Sequence, residues 1–199
     1  MSHKLSRYLV GVILLPIAIA VSAGPDEPNS RDAFWDQLTE LCGQAFAGEM
    51  TGFSRPSDDS WLGREVIMHV RECTGEEIRI PLHVGENRSR TWIVSRTADG
   101  FRLKHDHRHD DGTEDDVTWY GGHTTDPGRA WRQTFPVDDF SKALFLAHGL
   151  EVSVGNFWSM EVHPGEKFAY ELVREGRIFR AEFDLTAPVD APPAPWGHE

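Results

Sequence analysis

Residues 78–84 read Ile-Arg-Ile-Pro-Leu-His-Val, and this alternation decides the fold class. Successive side chains of an extended chain point to opposite faces, so the four apolar residues share one face and the other three share the opposite one. The pattern predicts a half-buried β-strand. Pro81 has no N–H to donate to a neighbouring strand, which predicts a sheet edge or a bulge at that position.

Similar runs lie on both sides of this segment, and residue pairs typical of turns separate them. Turns are predicted at Asp99-Gly100, Asp111-Gly112, Pro164-Gly165 and Glu175-Gly176. About ten strands are predicted. Their candidate runs are residues 44–50, 64–71, 78–84, 91–96, 101–109, 117–121, 130–135, 143–146, 157–162, 168–173 and 178–185. We expect an all-β antiparallel meander that closes into a lipocalin-like barrel, because closure removes exposed edges. A two-sheet sandwich is the alternative.

One helix is predicted before the strands. Phe34, Leu38 and Leu41 recur at helical spacing, with Trp35 beside them, and Gly43 predicts the end of the helix. The sequence therefore places a short amphipathic helix at the start of the barrel.

This helix and the first predicted strand resemble the start of lipocalin-like (calycin) barrels. The resemblance is carried by Leu41-Cys42-Gly43 and by Phe46-Ala47-Gly48. Calycins usually have a Trp shortly after the first of these glycines, where this chain has Ala45 and Phe46. The resemblance therefore implies a fold, and it transfers no ligand or haem-binding role by motif.

Four other segments resemble a family of bacterial secreted proteins of unknown function. They are residues 88–92, 103–109, 120–122 and 183–185. The resemblance extends over most of the chain beyond the first residues. It implies an exported location and supplies no chemistry.

The N-terminal residues predict export. Lys4 and Arg7 precede an apolar stretch at residues 9–21, and small residues follow it, which is the order of a secretory signal peptide. The stretch is shorter than the roughly 18 residues that span a bilayer. We expect a signal peptide at residues 1–23, with an uncleaved anchor as the alternative, and a periplasmic or secreted protein. Residues 24–31 are predicted to be a leader, 32–186 one barrel domain, and 187–199 a solvated Pro-rich tail.

The charge of the chain limits its partners. Its formal net charge is -12, and removal of the signal peptide makes it about two charges more negative. Such a surface repels nucleic acids and anionic lipids. Neither a nucleic acid nor, after signal cleavage, a membrane is expected as a partner.

The two cysteines, Cys42 and Cys73, predict one disulfide, because an exported chain reaches an oxidising compartment. A free buried thiol or a catalytic thiol is the alternative. No basic residue stands beside Cys42 to lower its pKa, so the sequence favours the disulfide.

Residues 104–111, Lys-His-Asp-His-Arg-His-Asp-Asp, contain the histidines that could carry chemistry. His105, His107 and His109 share one face of the predicted strand. Imidazoles two residues apart on a strand, about 7 Å between Cα atoms, can bind one divalent metal such as zinc if a third ligand comes from a neighbouring strand.

Glu114 or Asp116, beyond the predicted turn, could supply that third ligand. The alternative is a ladder of hydrogen bonds across the hairpin, which would only fix the pairing of the strands. A one-residue change in the turn reverses the face of every following side chain, so the sequence leaves both open.

Aromatic residues in the predicted strands could line a cavity for a small molecule. The candidates are Trp92, Trp119, Tyr120 and Trp158, and ordinary core packing is the alternative. The zinc-protease, serine-hydrolase and nucleotide-binding motifs are absent, so no catalytic residue is predicted and a binding protein is favoured over an enzyme.

Three functions follow. An exported barrel that binds a small apolar or amphipathic ligand is the leading hypothesis. The others are a metal-binding protein or metalloenzyme that uses the histidines, and an envelope domain that contacts a protein partner.

Overall fold

The computed structural model describes residues 29–52 and 61–198, so the predicted signal peptide lies outside the described residues. Within them are α1 (Ser30–Thr39), α2 (Asp139–Ala147), a 3-10 helix (Glu151–Gly155) and eleven strands. The strands are β1 (Ala45–Met50), β2 (Val66–His69), β3 (Glu72–Cys73), β4 (Glu77–Val84), β5 (Asn87–Thr97), β6 (Gly100–His107), β7 (Tyr120–His123), β8 (Arg132–Pro136), β9 (Phe157–His163), β10 (Lys167–Arg174) and β11 (Arg177–Val189). Neither α-helix is long and apolar enough to cross a membrane.

The eleven strands form one antiparallel sheet that is nearly closed into a barrel. Their order is β7-β6-β5-β4-β2-β1-β11-β10-β9-β8, and β3 pairs with β4. The end strands meet at a seam, where Gly122 forms a bridge with Val137 and the Asp138 N–H donates to the Gly121 carbonyl over 3.0 Å. The expected barrel is therefore confirmed over the sandwich.

Two glycines allow close backbone approach on the two sides of β7. A Cβ on Gly121 would overlap the carbonyl oxygen of Leu103 on β6, and a Cβ on Gly122 would overlap that of Pro136 on β8, across the seam. Beside them, Lys104 Nζ lies 2.6 Å from Asp138 Oδ2 in an ion pair across the seam. The close backbone approach at Gly122 joins the two end strands, and this largely buried pair links β6 to the residues that follow β8.

Helix α1 covers one end of the barrel. Phe34 and Trp35 are buried, and each lies against Phe101, with ring centroids 5.8 and 5.7 Å apart. Phe101 is at the start of β6, and His107 ends that strand, about 20 Å further along. The histidines therefore lie toward the barrel end opposite α1.

The predicted disulfide is confirmed. Cys42 and Cys73 are bonded, with Cα atoms 6.3 Å apart, and they connect the turn after α1 to β3. Gly43, at a φ of +81°, turns the chain between α1 and β1. The crosslink thus ties the covering helix to the sheet.

The structure corrects two expectations about single elements. Residues 143–146, predicted as a strand, lie in α2, whose first turn is capped by Asp138 Oδ1 accepting from the Ser141 N–H. A four-residue apolar run is too short to reveal its period. Pro81 is not at an edge, because β4 lies between β5 and β2; its missing N–H falls where the partner of β4 changes from β2 to β3.

Both predicted boundaries of the barrel domain shift. Helix α1 begins at Ser30, inside the predicted leader, and β11 extends to Val189. The tail beyond β11 is docked rather than solvated: the Trp196 N–H donates to the Arg88 carbonyl, and His198 Nε2 lies 2.8 Å from Asp106 Oδ2. Paired polar groups on the barrel wall hold the tail.

Candidate functional site

A pocket of about 300 Å³ lies inside the barrel near the end opposite α1. Five aromatic rings, two arginines, two histidines and two leucines line it. They are Trp61, Trp92, Tyr120, Tyr170, Phe179, Arg90, Arg177, His105, His107, Leu82 and Leu172. This volume is at the small end of ligand pockets, so the space suits one small molecule.

Strand alternation builds the floor of the pocket. Trp92 on β5 and Tyr170 on β10 are buried and stacked, with ring centroids 4.3 Å apart and planes 19° apart. Phe168 and Phe183 pack against Trp92 from below, at 6.1 and 6.3 Å. The barrel is therefore filled beneath this floor.

The same alternation places guanidinium groups at the rim. Arg90 is two residues before Trp92 on β5, and Arg177 is two residues before Phe179 on β11, so each arginine shares the inward face. Both arginines and Trp61 are half-buried. The rim of the pocket is thus basic and its floor aromatic.

His105 is held in one tautomer by its two neighbours. Its Nδ1 lies 3.1 Å from the Tyr120 carbonyl oxygen and its Nε2 lies 2.8 Å from the Tyr170 hydroxyl. A carbonyl can only accept, so Nδ1 carries the proton and Nε2 accepts from the hydroxyl. Burial, followed by the nearby His107, lowers the pKa of His105 to about 3. This imidazole is neutral at physiological pH.

His107 and the two tyrosines are also uncharged at neutral pH. The Tyr120 hydroxyl lies 3.1 Å from His107 Nε2, and burial, followed by the charge of Arg90, lowers the pKa of His107 to about 4. Burial raises the pKa of Tyr120 to about 12 and that of Tyr170 well above its usual value. Among the described residues of the lining, the ionised groups are therefore the arginines.

Arg90 is placed by neutral partners. Its Nη1 donates to Asn87 Oδ1 and Ser89 Oγ, each at 3.1 Å, and its guanidinium lies 5.5 Å from the centre of the Trp61 ring. Burial lowers the pKa of Arg90, yet a guanidinium stays charged in proteins. Among the described residues, no carboxylate lines the pocket or forms an ion pair with Arg90.

The structure separates the residues predicted to bind metal. His105 and His107 line the pocket, whereas His109 lies beyond the end of β6 and is exposed. Glu114 accepts from Arg108 Nη2 at 3.3 Å and from the Trp119 indole at 2.9 Å. Asp116 is exposed in the same loop.

The register after the turn explains this separation. It shifts between the Arg108–Glu114 bridge and the pairing of β6 with β7, which puts Tyr120 opposite His105. Arg108 is on the face of β6 opposite the two pocket histidines, and it holds Glu114 there. Within residues 29–52 and 61–198, no three potential metal ligands lie together.

Two of the four predicted ligand-binding residues, Trp92 and Tyr120, line the pocket. Trp158 packs behind it, with its ring 5.3 Å from His105 and 5.9 Å from Tyr120. Trp119 precedes β7 in a left-handed conformation with a φ of +59° and bonds Glu114 instead. A loop conformation, rather than the predicted strand, turns its indole away.

Sequence reasoning missed most of the lining, including Trp61, Arg90, Tyr170 and Arg177. One signal could have found the arginines. A basic residue in phase with an apolar alternation, as in Arg90-Thr91-Trp92, predicts a charge on the inward face near a strand end.

Comparison of this chain with family models, with curated proteins and with solved structures gives no match. The functional interpretation therefore depends on the geometry of the pocket.

Proposed function

We propose that this protein binds one small amphipathic molecule in the pocket above Trp92. The observation that carries the proposal is the convergence of five aromatic rings with imidazole, hydroxyl and guanidinium groups around about 300 Å³ of space. Aromatic walls supply apolar contact area, and a few placed polar groups orient a ligand.

Hydrogen bonds hold the polar groups of the lining in fixed orientations, which favours an organic ligand over a metal ion. Both ring nitrogens of His105 have partners, and His107 is bonded to Tyr120. These bonds fix the orientation of the rings that a ligand would meet. The metal-binding alternative stays a prediction.

A native mass spectrum, compared with the denatured mass, tests the proposal on protein purified without a metal-affinity tag. We expect additional organic mass at one molecule per chain. A Leu172→Trp variant fills the pocket from the half-buried rim and should lose that mass. Ile178→Trp, at an exposed position of the neighbouring strand, should retain it.

Loss of the bound mass in both variants would contradict the assigned pocket. Additional mass matching one metal ion would instead favour the metal alternative. A wild-type protein with no bound mass, and no change in tryptophan fluorescence on titration with 2-naphthamide or 2-naphthoate, would count against ligand binding.

Export completes the proposed function. The Cys42–Cys73 disulfide supports it, because such bonds persist in oxidising compartments. N-terminal sequencing of the protein from its own cells should begin at Gly24. A chain that retains Met1 would contradict cleavage.

A further inference from the structure

The ionised groups of the described residues that line the pocket all have one sign. At neutral pH its imidazoles and phenols are uncharged, so Arg90 and Arg177 carry its charge, and no carboxylate of the described residues lines it. The chain as a whole has a net charge of -12. A basic pocket inside an acidic protein is a local feature that the overall composition does not produce.

The guanidinium of Arg90 has capacity for an anion. Its bonds to described residues are made by Nη1 alone, to a side-chain amide and a hydroxyl, neither of which neutralises it. A guanidinium has five N–H donors in a planar fork that matches a carboxylate. Its stacking over Trp61, at 5.5 Å, also places it beside an aromatic surface.

Burial makes this charge costly, and the carboxylate of Asp115 acts on it only from beyond ion-pair distance. Two other half-buried charges of the barrel have carboxylate partners: Arg180 Nη2 lies 2.8 Å from Glu161 Oε2, and Lys104 pairs with Asp138 at the seam. Half-buried Arg90 differs from them, since no carboxylate of the described residues lies within ion-pair distance. A ligand that brings a negative charge would offset the desolvation of the guanidinium.

We infer that the pocket selects an organic carboxylate with a compact apolar body, whose carboxylate binds Arg90 at the rim and whose body lies on Trp92 and Tyr170. This inference rests on the proposed function and names its ligand class. Arg177 also lines this rim. The volume restricts the apolar body to about the size of one or two aromatic rings.

The test is a calorimetric titration with 2-naphthoate and with 2-naphthamide. The two probes share their rings and shape and differ in charge. The wild-type protein should bind the carboxylate at least about tenfold more tightly, because charge-assisted hydrogen bonds are roughly twice as strong as neutral ones. Equal affinities, or tighter binding of the amide, would overturn the inference and leave the proposed function standing.

Single substitutions test whether Arg90 is the residue that binds the carboxylate. Arg90→Met should weaken 2-naphthoate binding by about tenfold or more while leaving 2-naphthamide within about threefold. Arg79→Met removes one positive charge from the outward face of β4, where Arg79 pairs with Glu77, and should change neither affinity. Unchanged naphthoate binding in Arg90→Met would exclude Arg90 as its site.

The wild-type comparison decides charge selectivity even if Arg90→Met fails to fold, and Arg90→Gln then provides the second variant. Failure of the wild-type protein to bind either probe would contradict the proposed function together with the inference. The two failures are thus distinguishable.

Discussion

At the scale of single residues, the pocket depends on a buried imidazole with a partner for each ring nitrogen. Tyr170 donates to His105 Nε2, and the Tyr120 carbonyl accepts from Nδ1. The Tyr120 ring also stacks on His105, with centroids 4.6 Å apart. These contacts fix the ring without any charge.

A Tyr170→Phe variant tests this arrangement. It leaves a buried acceptor, His105 Nε2, without its donor, so we expect a loss of about 1–3 kcal/mol in the free energy of unfolding. Urea denaturation at pH 7 measures it. Tyr120→Phe, whose hydroxyl bonds the half-buried His107, should lose less. An equal or larger loss in Tyr120→Phe would contradict this interpretation.

The histidines also predict the dependence of stability on pH. Burial is the main cause that lowers the pKa of His105 to about 3 and those of His107 and His83 to about 4, from an ordinary value of 6.5. The unfolded chain therefore binds protons between about pH 6.5 and 4 that the folded chain does not bind. The contribution of these three histidines to stability is therefore fully present above pH 6.5, and it is lost as the pH falls toward 4.

We expect urea denaturation to give a free energy of unfolding that decreases steadily between pH 7 and pH 4.5. His107→Gln removes one of these groups and should reduce the decrease, whereas His148→Gln, at an exposed position, should leave it unchanged. A flat wild-type profile over this range would contradict the prediction.

At the scale of elements, the seam between β7 and β8 depends on glycine. We expect Gly122→Ala to cost about 1–3 kcal/mol, because its methyl group would meet the Pro136 carbonyl oxygen and force the strands apart. Thermal and urea unfolding measure the loss. Gly75→Ala, in a turn with open space around it, should be nearly neutral. Similar effects of the two substitutions would argue against a close seam.

The disulfide stabilises the connection between α1 and the sheet. Replacing Cys42 and Cys73 with Ala should reduce the free energy of unfolding by about 3–4 kcal/mol, since the bond closes a loop with a sequence separation of 31. Reductant should destabilise the wild-type protein similarly and leave the double variant unchanged. A reductant effect on the double variant would contradict this assignment.

At the scale of the whole molecule, the chain end closes onto the barrel wall. Asp106 is buried, and it is paired with Arg108 Nε at 3.1 Å and with His198 Nε2 at 2.8 Å. His198→Ala should destabilise the protein by about 1–3 kcal/mol, because a buried carboxylate loses one of its two partners. Hydrogen exchange at the Trp196 amide should also accelerate.

His148→Ala, at an exposed position, is the control and should have neither effect. A His198→Ala variant with unchanged stability and unchanged exchange at Trp196 would show that the docked tail contributes nothing measurable.

Local sequence pattern was sufficient to predict several elements of this fold. The alternation in residues 78–84 and its neighbours predicted most strands, and Asp99-Gly100 predicted the turn between β5 and β6. Two cysteines predicted the disulfide, and the two-residue period placed His105 and His107 on the inward face. Each of these predictions depends on residues close in sequence or on the number of cysteines in the chain.

The contacts of those inward-facing residues are set by tertiary packing. The register after β6 placed Tyr120, and no carboxylate, opposite His105, while Trp61, Arg90, Tyr170 and Arg177 came together from distant segments. A period of two assigns a face to each side chain but neither a cross-strand partner nor a depth in the barrel. Those depend on loop conformation and on closure of the whole sheet, which are set by many contacts between residues far apart in sequence.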